Sequence, residues 1–161
     1  MTIDTKELRF AFGNFATGIT IVTSLDADGE PLGITANSFS SVSLDPPLVL
    51  FSVDRGAYSL EAFQISRRFA INILSTDQED MSNRFAKASV DKWSGVDFET
   101  WETGCPILTG SLASFDCRTW QTYDGGDHVI FVGEVEQMSL NTDLEPLLFF
   151  RGRYDRVLGK S

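Results

Sequence analysis

The sequence predicts a mainly β protein, an antiparallel barrel carrying a few short helices. Short β-branched and aromatic runs recur along the chain, turn-forming clusters separate them, and strand–helix alternation of the parallel α/β kind is missing. At 161 residues the chain fits one domain, 1–161, and 42% hydrophobic content with 13 Phe is ample for a core. No internal repeat or low-complexity linker divides it.

Asp4-Thr5-Lys6-Glu7 has the form of a capping box, and Leu8, Ala11, Phe12 and Phe15 follow at helical spacing. A short amphipathic helix therefore opens the chain. After Gly18, residues 19–25 are β-branched almost throughout, and Asp26-Ala27-Asp28-Gly29-Glu30-Pro31 turns them back into residues 33–47 as a hairpin. Pro46 and Pro47 cannot donate to a ladder and mark a strand end, so the apolar run 48–53 reads as a separate core strand. Leu60, Phe63 and Gln64 suggest a brief helix after Ser59, and 67–74 alternates as a strand.

Ser75 or Thr76 caps a helix over 77–87, with Gln78 or Glu79 closing the box. Met81, Phe85 and Ala88 read as its buried stripe rather than a cofactor pocket. Residues 87–101 read as a long surface loop that ends at 104–108. Residues 111–123 and 129–138 form a second hairpin around Asp124-Gly125-Gly126-Asp127. The last apolar segment, 146–150, runs into Arg151-Gly152-Arg153-Tyr154, whose alternation suits a strand edge near a ligand.

Thirteen basic against 23 acidic residues give a net charge of −10, which opposes nonspecific attraction to nucleic acid or anionic membrane. An anionic ligand must then be held by local donors. No apolar run reaches the roughly 20 residues of a spanning helix, and the first residues lack the order of a signal peptide, so a cytoplasmic location is expected. Cys105 and Cys117 fit neither a C-x-x-C pair nor a zinc knuckle and read as idle thiols in a reducing compartment. One histidine, His128, and no Gly-x-Ser-x-Gly elbow argue against a hydrolytic triad. The same scarcity argues against a zinc site, and no metal is expected. Neither a Walker loop nor G-x-G-x-x-G is present, so any nucleotide must be held by a β scaffold.

The stretch 33–47 stands out. It reads as extended, yet it offers hydroxyls, one amide and small side chains where a strand buried for its own sake would carry Val, Ile and Leu. Such a row suits a flat polar ligand with a phosphate tail. Together with 17–23, 69–74, Gly126-Asp127-His128 with Gly133 five residues on, and Phe150-Arg151-Gly152-Arg153-Tyr154, it resembles in order and spacing the short-chain flavin reductase family. These are reductase components of two-component flavin monooxygenases. The likeness runs over roughly residues 8 to 156, and Thr-Ala-Asn-Ser-Phe-Ser-Ser-Val-Ser-Leu-Asp-Pro-Pro is its most specific part.

The resemblance implies an antiparallel Greek-key split β-barrel, the FMN-binding split barrel, and an NAD(P)H:flavin oxidoreductase using FMN or FAD with NADH or NADPH. It implies that Thr35, Ala36, Asn37 and Ser38 line the flavin ring and ribityl chain, with Ser40, Ser41, Val42 and Ser43 close to the ribityl and phosphate. Ser52, Val53 and Ser59 match a second phosphate-proximal segment. Arg84, Phe85 and Ala86 match a helix end near the phosphate or the adenylate of FAD; for Arg84 a solvated role is the competing reading. His128 falls in the motif near the nicotinamide, where an imidazole orients the carboxamide; a satisfied structural histidine is the alternative. Arg153 and Tyr154 match a pair on the dinucleotide side.

A homodimer with its site at or near the interface is also implied, as is a separate oxygenase that receives reduced flavin. Trp93, Trp101 and Trp120 suit such an interface or a core equally. Two other functions stay open: a split-barrel flavoenzyme that retains FMN and acts on a bound substrate, and a flavin- or haem-binding module without turnover.

Overall fold

The computed structural model describes residues 1–88 and 91–159. Helix α1 (Thr5–Phe12) starts where its capping signal lies, with the Asp4 carboxylate accepting from the Lys6 and Glu7 amides at 2.8 and 3.0 Å. Its apolar residues do not pack as the amphipathic spacing predicts: none is buried, and Leu8, Phe12 and Phe15 are exposed. The chain is fastened just after the helix, where Gly13 O accepts from the Arg151 amide and Asn14 Oδ1 from Arg151 Nε.

Strand β1 (Thr17–Gly18) leads into the hairpin of β2 (Thr20–Leu25) and β3 (Pro31–Ala36). The stretch beyond β3 is a strand of its own. β4 (Ser40–Leu44) pairs with β5 (Pro47–Asp54) around a cis Asp45–Pro46 peptide. Helix α2 (Leu60–Ser66), β6 (Arg68–Ile73) and α3 (Glu79–Phe85) follow.

The helix expected over 77–87 begins later because its first turn, Thr76–Gln78, is 3-10. Gln78 closes the capping box by accepting from the Ser75 amide at 2.9 Å, and its own amide nitrogen donates to Thr109 O and Ser111 Oγ, which holds that turn down. Of the expected stripe, Phe85 is buried and Met81 half-buried, while Ala88 is exposed. The loop expected over 87–101 contains strand β7 (Phe98–Thr100), paired with β8 (Pro106–Leu108); its residues 89 and 90 lie outside the described residues. β9 (Ala113–Gly125) and β10 (His128–Leu140) form the long hairpin, and β11 (Leu147–Phe150) and β12 (Arg153–Arg156) close the chain.

The main sheet has seven strands in the order β3-β2-β6-β9-β10-β5-β4, all antiparallel. Its two edge strands are consecutive in sequence. Laid flat, six inter-strand gaps would hold those edges about 29 Å apart, whereas the four Cα steps from Ala36 to Ser40 reach about 14 Å at most. The sheet must therefore roll into a barrel, with residues 37–39 as the tie across its seam. Ser38 completes the closure: its Oγ accepts from the Ser52 amide at 2.9 Å, so a hydroxyl stands where a neighbouring strand would.

β2 and β6 are buried on both faces. Val22, Phe69 and Ile71 face the barrel interior with Phe51, Phe63 and Phe131, while Ile21 faces an outer layer of Phe85, Leu108 and Leu147. Asn72, fully buried between these layers, is satisfied: its amide donates to Ile21 O, and its oxygen accepts from the Leu108 amide and Ser114 Oγ. Cys105 and Cys117 are free thiols, both fully buried. Among the described residues no helix is long and apolar enough to cross a membrane.

Candidate functional site

A cleft of about 1000 Å³ runs along the open side of β3 at the seam. β3 forms one wall with Asn37 and Ser38, and the end of β5 with Ala57, Tyr58 and Ser59 forms the other. Residues 85–88, Lys92 and Trp93 line it as well, and so do His128 and Asp54, which pair across β10 and β5.

β3 is an edge strand, so part of its backbone is unpaired. Thr20 Oγ1 donates to Ala36 O at 2.7 Å, which places the Ala36 carbonyl toward β2, whereas Gly33 O accepts from Lys92 Nζ at 3.3 Å on the open side. Alternation along an antiparallel strand then turns the backbone N–H and C=O of Thr35 toward the cleft as well. The Thr35 hydroxyl is already used, donating to Ser82 O at 2.7 Å and fastening β3 to α3. Gly33 is required for that packing: a Cβ there would lie 2.9 Å from Phe85 Cε1 and 3.4 Å from Trp93 Cζ2.

Phe85 and Trp93 meet edge-to-face at 4.9 Å and make an aromatic corner beneath Lys92. The Lys92 amine donates to Gly33 O and Phe85 O, and no carboxylate pairs with it among the described residues. Burial pushes this amine below the ordinary lysine range. An amine held by two carbonyls keeps a third N–H for a ligand.

Ser59 Oγ is out of solvent and has no hydrogen-bond partner. His128 Nδ1 lies 2.7 Å from Asp127 Oδ1, and the side chain is 42% exposed. The hydrogen bond from His128, then its charge, hold the Asp127 carboxyl below its usual range. An ionised carboxylate only accepts, so Nδ1 carries the proton; in the neutral ring Nε2 is then an acceptor.

Ten of the residues singled out from sequence line this one cleft: Thr35, Ala36, Asn37, Ser38, Ser52, Val53, Ser59, Phe85, Ala86 and His128. Seven do not. Ser40, Ser41, Val42 and Ser43 lie on edge strand β4, past the tie, where Ser40 Oγ donates to Ser41 O and the register shifts between Ser41 and Ser43. Arg84 is exposed and donates to Ser94 O at 2.9 Å. Tyr154 reaches the back of α3, its hydroxyl 2.7 Å from Ser82 Oγ and donating to Asn83 Oδ1 at 3.2 Å, and Arg153 is exposed beside it.

Sequence reasoning missed Lys87, Lys92 and Trp93, which sit in the stretch read as a surface loop, and Asp54 and Tyr58. Of the other tryptophans, Trp101 packs on the small cluster of Ala70, Cys105 and Ile107, and Trp120 is exposed.

A family model described as the flavin reductase like domain matches residues 12–158. The chain is 45% identical over 160 residues to a probable flavin reductase of Rhizobium meliloti, covering 98% of this chain and 51% of that protein. It therefore spans about half the length of that relative. Over 155 residues it is 42% identical to the reductase subunit HsaB of a flavin-dependent monooxygenase from Rhodococcus jostii, covering 96% of this chain and 79% of that one. Among solved structures, the NADH:FAD oxidoreductase SgcE6 of Streptomyces globisporus, in complex with NAD and FAD fragments, superposes with a TM-score of 0.91 at 40% identity. That match covers 98% of this chain and 97% of the other.

Proposed function

The chain belongs to the flavin reductase like domain family, and from that membership we propose that it is an NAD(P)H:flavin oxidoreductase that hands reduced flavin to a separate oxygenase. The observation that carries this reading is one cleft lined both by a cation that no carboxylate pairs with among the described residues and by an imidazole held by a carboxylate. β3 runs extended from Pro31 to Ala36, about 16 Å, room for a ring system and a phosphate in line. The residues fit a flavin: Ser59 offers a buried hydroxyl without a partner, Thr35 an unpaired backbone edge, and Lys92 a cation that no carboxylate pairs with among the described residues.

In this reading Ala36, Asn37, Ser38, Ser52 and Val53 flank the ring system and Ser59 meets its polar edge. Lys92, Lys87, Phe85 and Ala86 take the phosphate end, and the protein works in the cytoplasm. The bound pair supplies the chemistry, hydride transfer from nicotinamide to flavin. The chain supplies geometry. Its rigid walls hold donor and acceptor at about 3 to 3.5 Å, and His128 Nε2 accepts from the carboxamide N–H2 while Asp127 fixes the ring.

The NADH:FAD oxidoreductase SgcE6 and the FMN reductase (NADH) SmoA of Agrobacterium fabrum, 42% identical over 153 residues, support flavin with NADH as the pair to try first. A homodimer is part of the same proposal. Phe10, Phe12 and Phe15 and the 97% exposed Leu44 form apolar surface that a second copy would cover.

The test is anaerobic mixing of the protein with FMN, FAD or riboflavin and either nicotinamide. The expected outcome is catalytic bleaching of the flavin; no bleaching with NADH or NADPH overturns the reading. Flavin that stays bound through gel filtration and turns over a second substrate would instead favour a retained-FMN enzyme.

A further inference from the structure

We infer that Arg55, on the loop after β5, is a positioning residue for His128, acting through the turn between β9 and β10. One residue makes three bonds to that turn. The Arg55 amide donates to Asp127 O at 2.9 Å, Nε to Gly126 O at 2.7 Å, and Nη2 to Asp124 Oδ1 at 2.6 Å. Asp124 Oδ1 also accepts from the Gly126 amide at 3.2 Å, so the carboxylate and the guanidinium close the turn together.

The ladder pairs Gly125 with His128 across the turn, but it does not hold the side chains that flank it. Gly126 has φ +77°, a conformation that favours glycine, and the flanking Asp124 and Asp127 side chains are 80% and 90% exposed, so no packing fixes them. Asp127 is nonetheless the group that fixes His128 Nδ1 at 2.7 Å. A carboxylate this exposed, on a turn without the clamp, would swing into water, and the imidazole would then sample both tautomers. Arg55 prevents this from the facing strand, because β5 and β10 pair with His128 opposite Asp54, the residue before Arg55. The charged groups around the imidazole are thus Asp127 beside it, Asp54 across the ladder, Asp124 on the other flank of the turn, and Arg55.

The same loop continues into Ala57, Tyr58 and Ser59, so Arg55 also ties one cleft wall to the hairpin that carries His128. Its fork is bidentate across two acceptors, which a lysine cannot reproduce.

The kinetic half of this inference rests on the nicotinamide reading above; the structural half does not. His128 is the sole histidine, so imidazole-¹⁵N-labelled protein made with a histidine-free tag gives one spin system whose two-bond correlations read the tautomer directly. The native protein is expected to show Nδ1–H alone, and Arg55→Gln an averaged mixture. Arg55→Gln should raise KM for NADH about fivefold, with flavin affinity and thermal midpoint retained, and Arg55→Lys should fall between the two.

Asp124→Asn, which removes only one leg of the clamp, serves if Arg55→Gln does not fold and should loosen the tautomer preference to a lesser degree. A wild-type tautomer signature in both variants overturns the inference, as does a lysine variant no better than glutamine. A mixed tautomer in a protein that never oxidises NADH would uphold the clamp and sink the nicotinamide reading.

Discussion

Replacing Lys92 with Met keeps a long, flexible apolar stem and deletes only the amine. That amine sits 3.3 Å from Gly33 O and 3.1 Å from Phe85 O, 6.0 Å from the Phe85 ring centroid, and faces the cleft without a carboxylate partner among the described residues. If its remaining N–H meets a flavin phosphate, the loss is one charge-assisted hydrogen bond, about 1.5–3 kcal/mol. At about tenfold per 1.4 kcal/mol, Lys92→Met should weaken FMN roughly 10- to 100-fold. Riboflavin, which lacks the phosphate, should bind both proteins alike, and fluorescence quenching titrations with the two flavins read the ratio.

A pH series adds the sign. Burial lowers the Lys92 pKa, and only the protonated amine attracts an anion, so FMN affinity of the native protein should fall as pH rises toward that lowered value. The Met variant should lack this limb. Equal losses for FMN and riboflavin, or no loss for either, would refute the assignment of the phosphate end.

Two further outcomes follow from packing. A Cβ at Gly133 in β10 would lie 2.9 Å from Cys117 Cβ and 3.0 Å from Phe69 Cε2, closer still to Phe69 Cζ, and Phe69 is fully buried against Phe51 at 4.7 Å. Overpacking of this kind costs about 1–3 kcal/mol, so Gly133→Ala should lower the thermal midpoint by about 2–12 °C; circular dichroism melts that coincide with the native protein would contradict it. Sedimentation should find a species of twice the 17.8 kDa chain mass at micromolar concentration, and a monomer there would remove the homodimer from the proposal.

What could be read from sequence was what short-range chemistry decides. Asp4 and the Ser75–Gln78 box announce helix starts because capping is a hydrogen bond between near neighbours. The β2–β3 and β9–β10 hairpins announce themselves through the turn residues between them. Less legible was the division of 35–43, which is continuous in sequence but split by the fold. Residues 37–39 cross the seam, leaving Thr35 to face the cleft while Ser43 pairs with Leu48 on the outer edge.

Lys92 and Trp93 looked like surface because their partner, Gly33, lies 59 residues away from Lys92, and no local pattern reports such a contact. Tyr154 lies away from this cleft for a related reason. Its hydroxyl is spent on Ser82 and Asn83 behind α3, a contact set by how β12 docks rather than by its own neighbours. The apolar spacing of α1 was legible as a pattern, but a pattern names a sticky face and not what covers it.

The tie at residues 37–39 has a consequence for how the cleft comes into being. The β2–β3 and β4–β5 hairpins that flank it are each local and are joined by a few residues, yet they never pair with one another. They are brought to their final spacing only when β6 and the β9–β10 hairpin are wedged between their other edges, through pairings of long sequence separation that form slowly. The cleft is complete only once those pairings are made, so a chain that lacks them lacks the cleft. A ligand that fills it selects the finished barrel, adding about 2.7 kcal/mol at a hundred times its Kd. If the protein releases its flavin at each turnover, as proposed above, it forgoes that reinforcement each time, and its resistance to unfolding should rise and fall with the supply of free flavin.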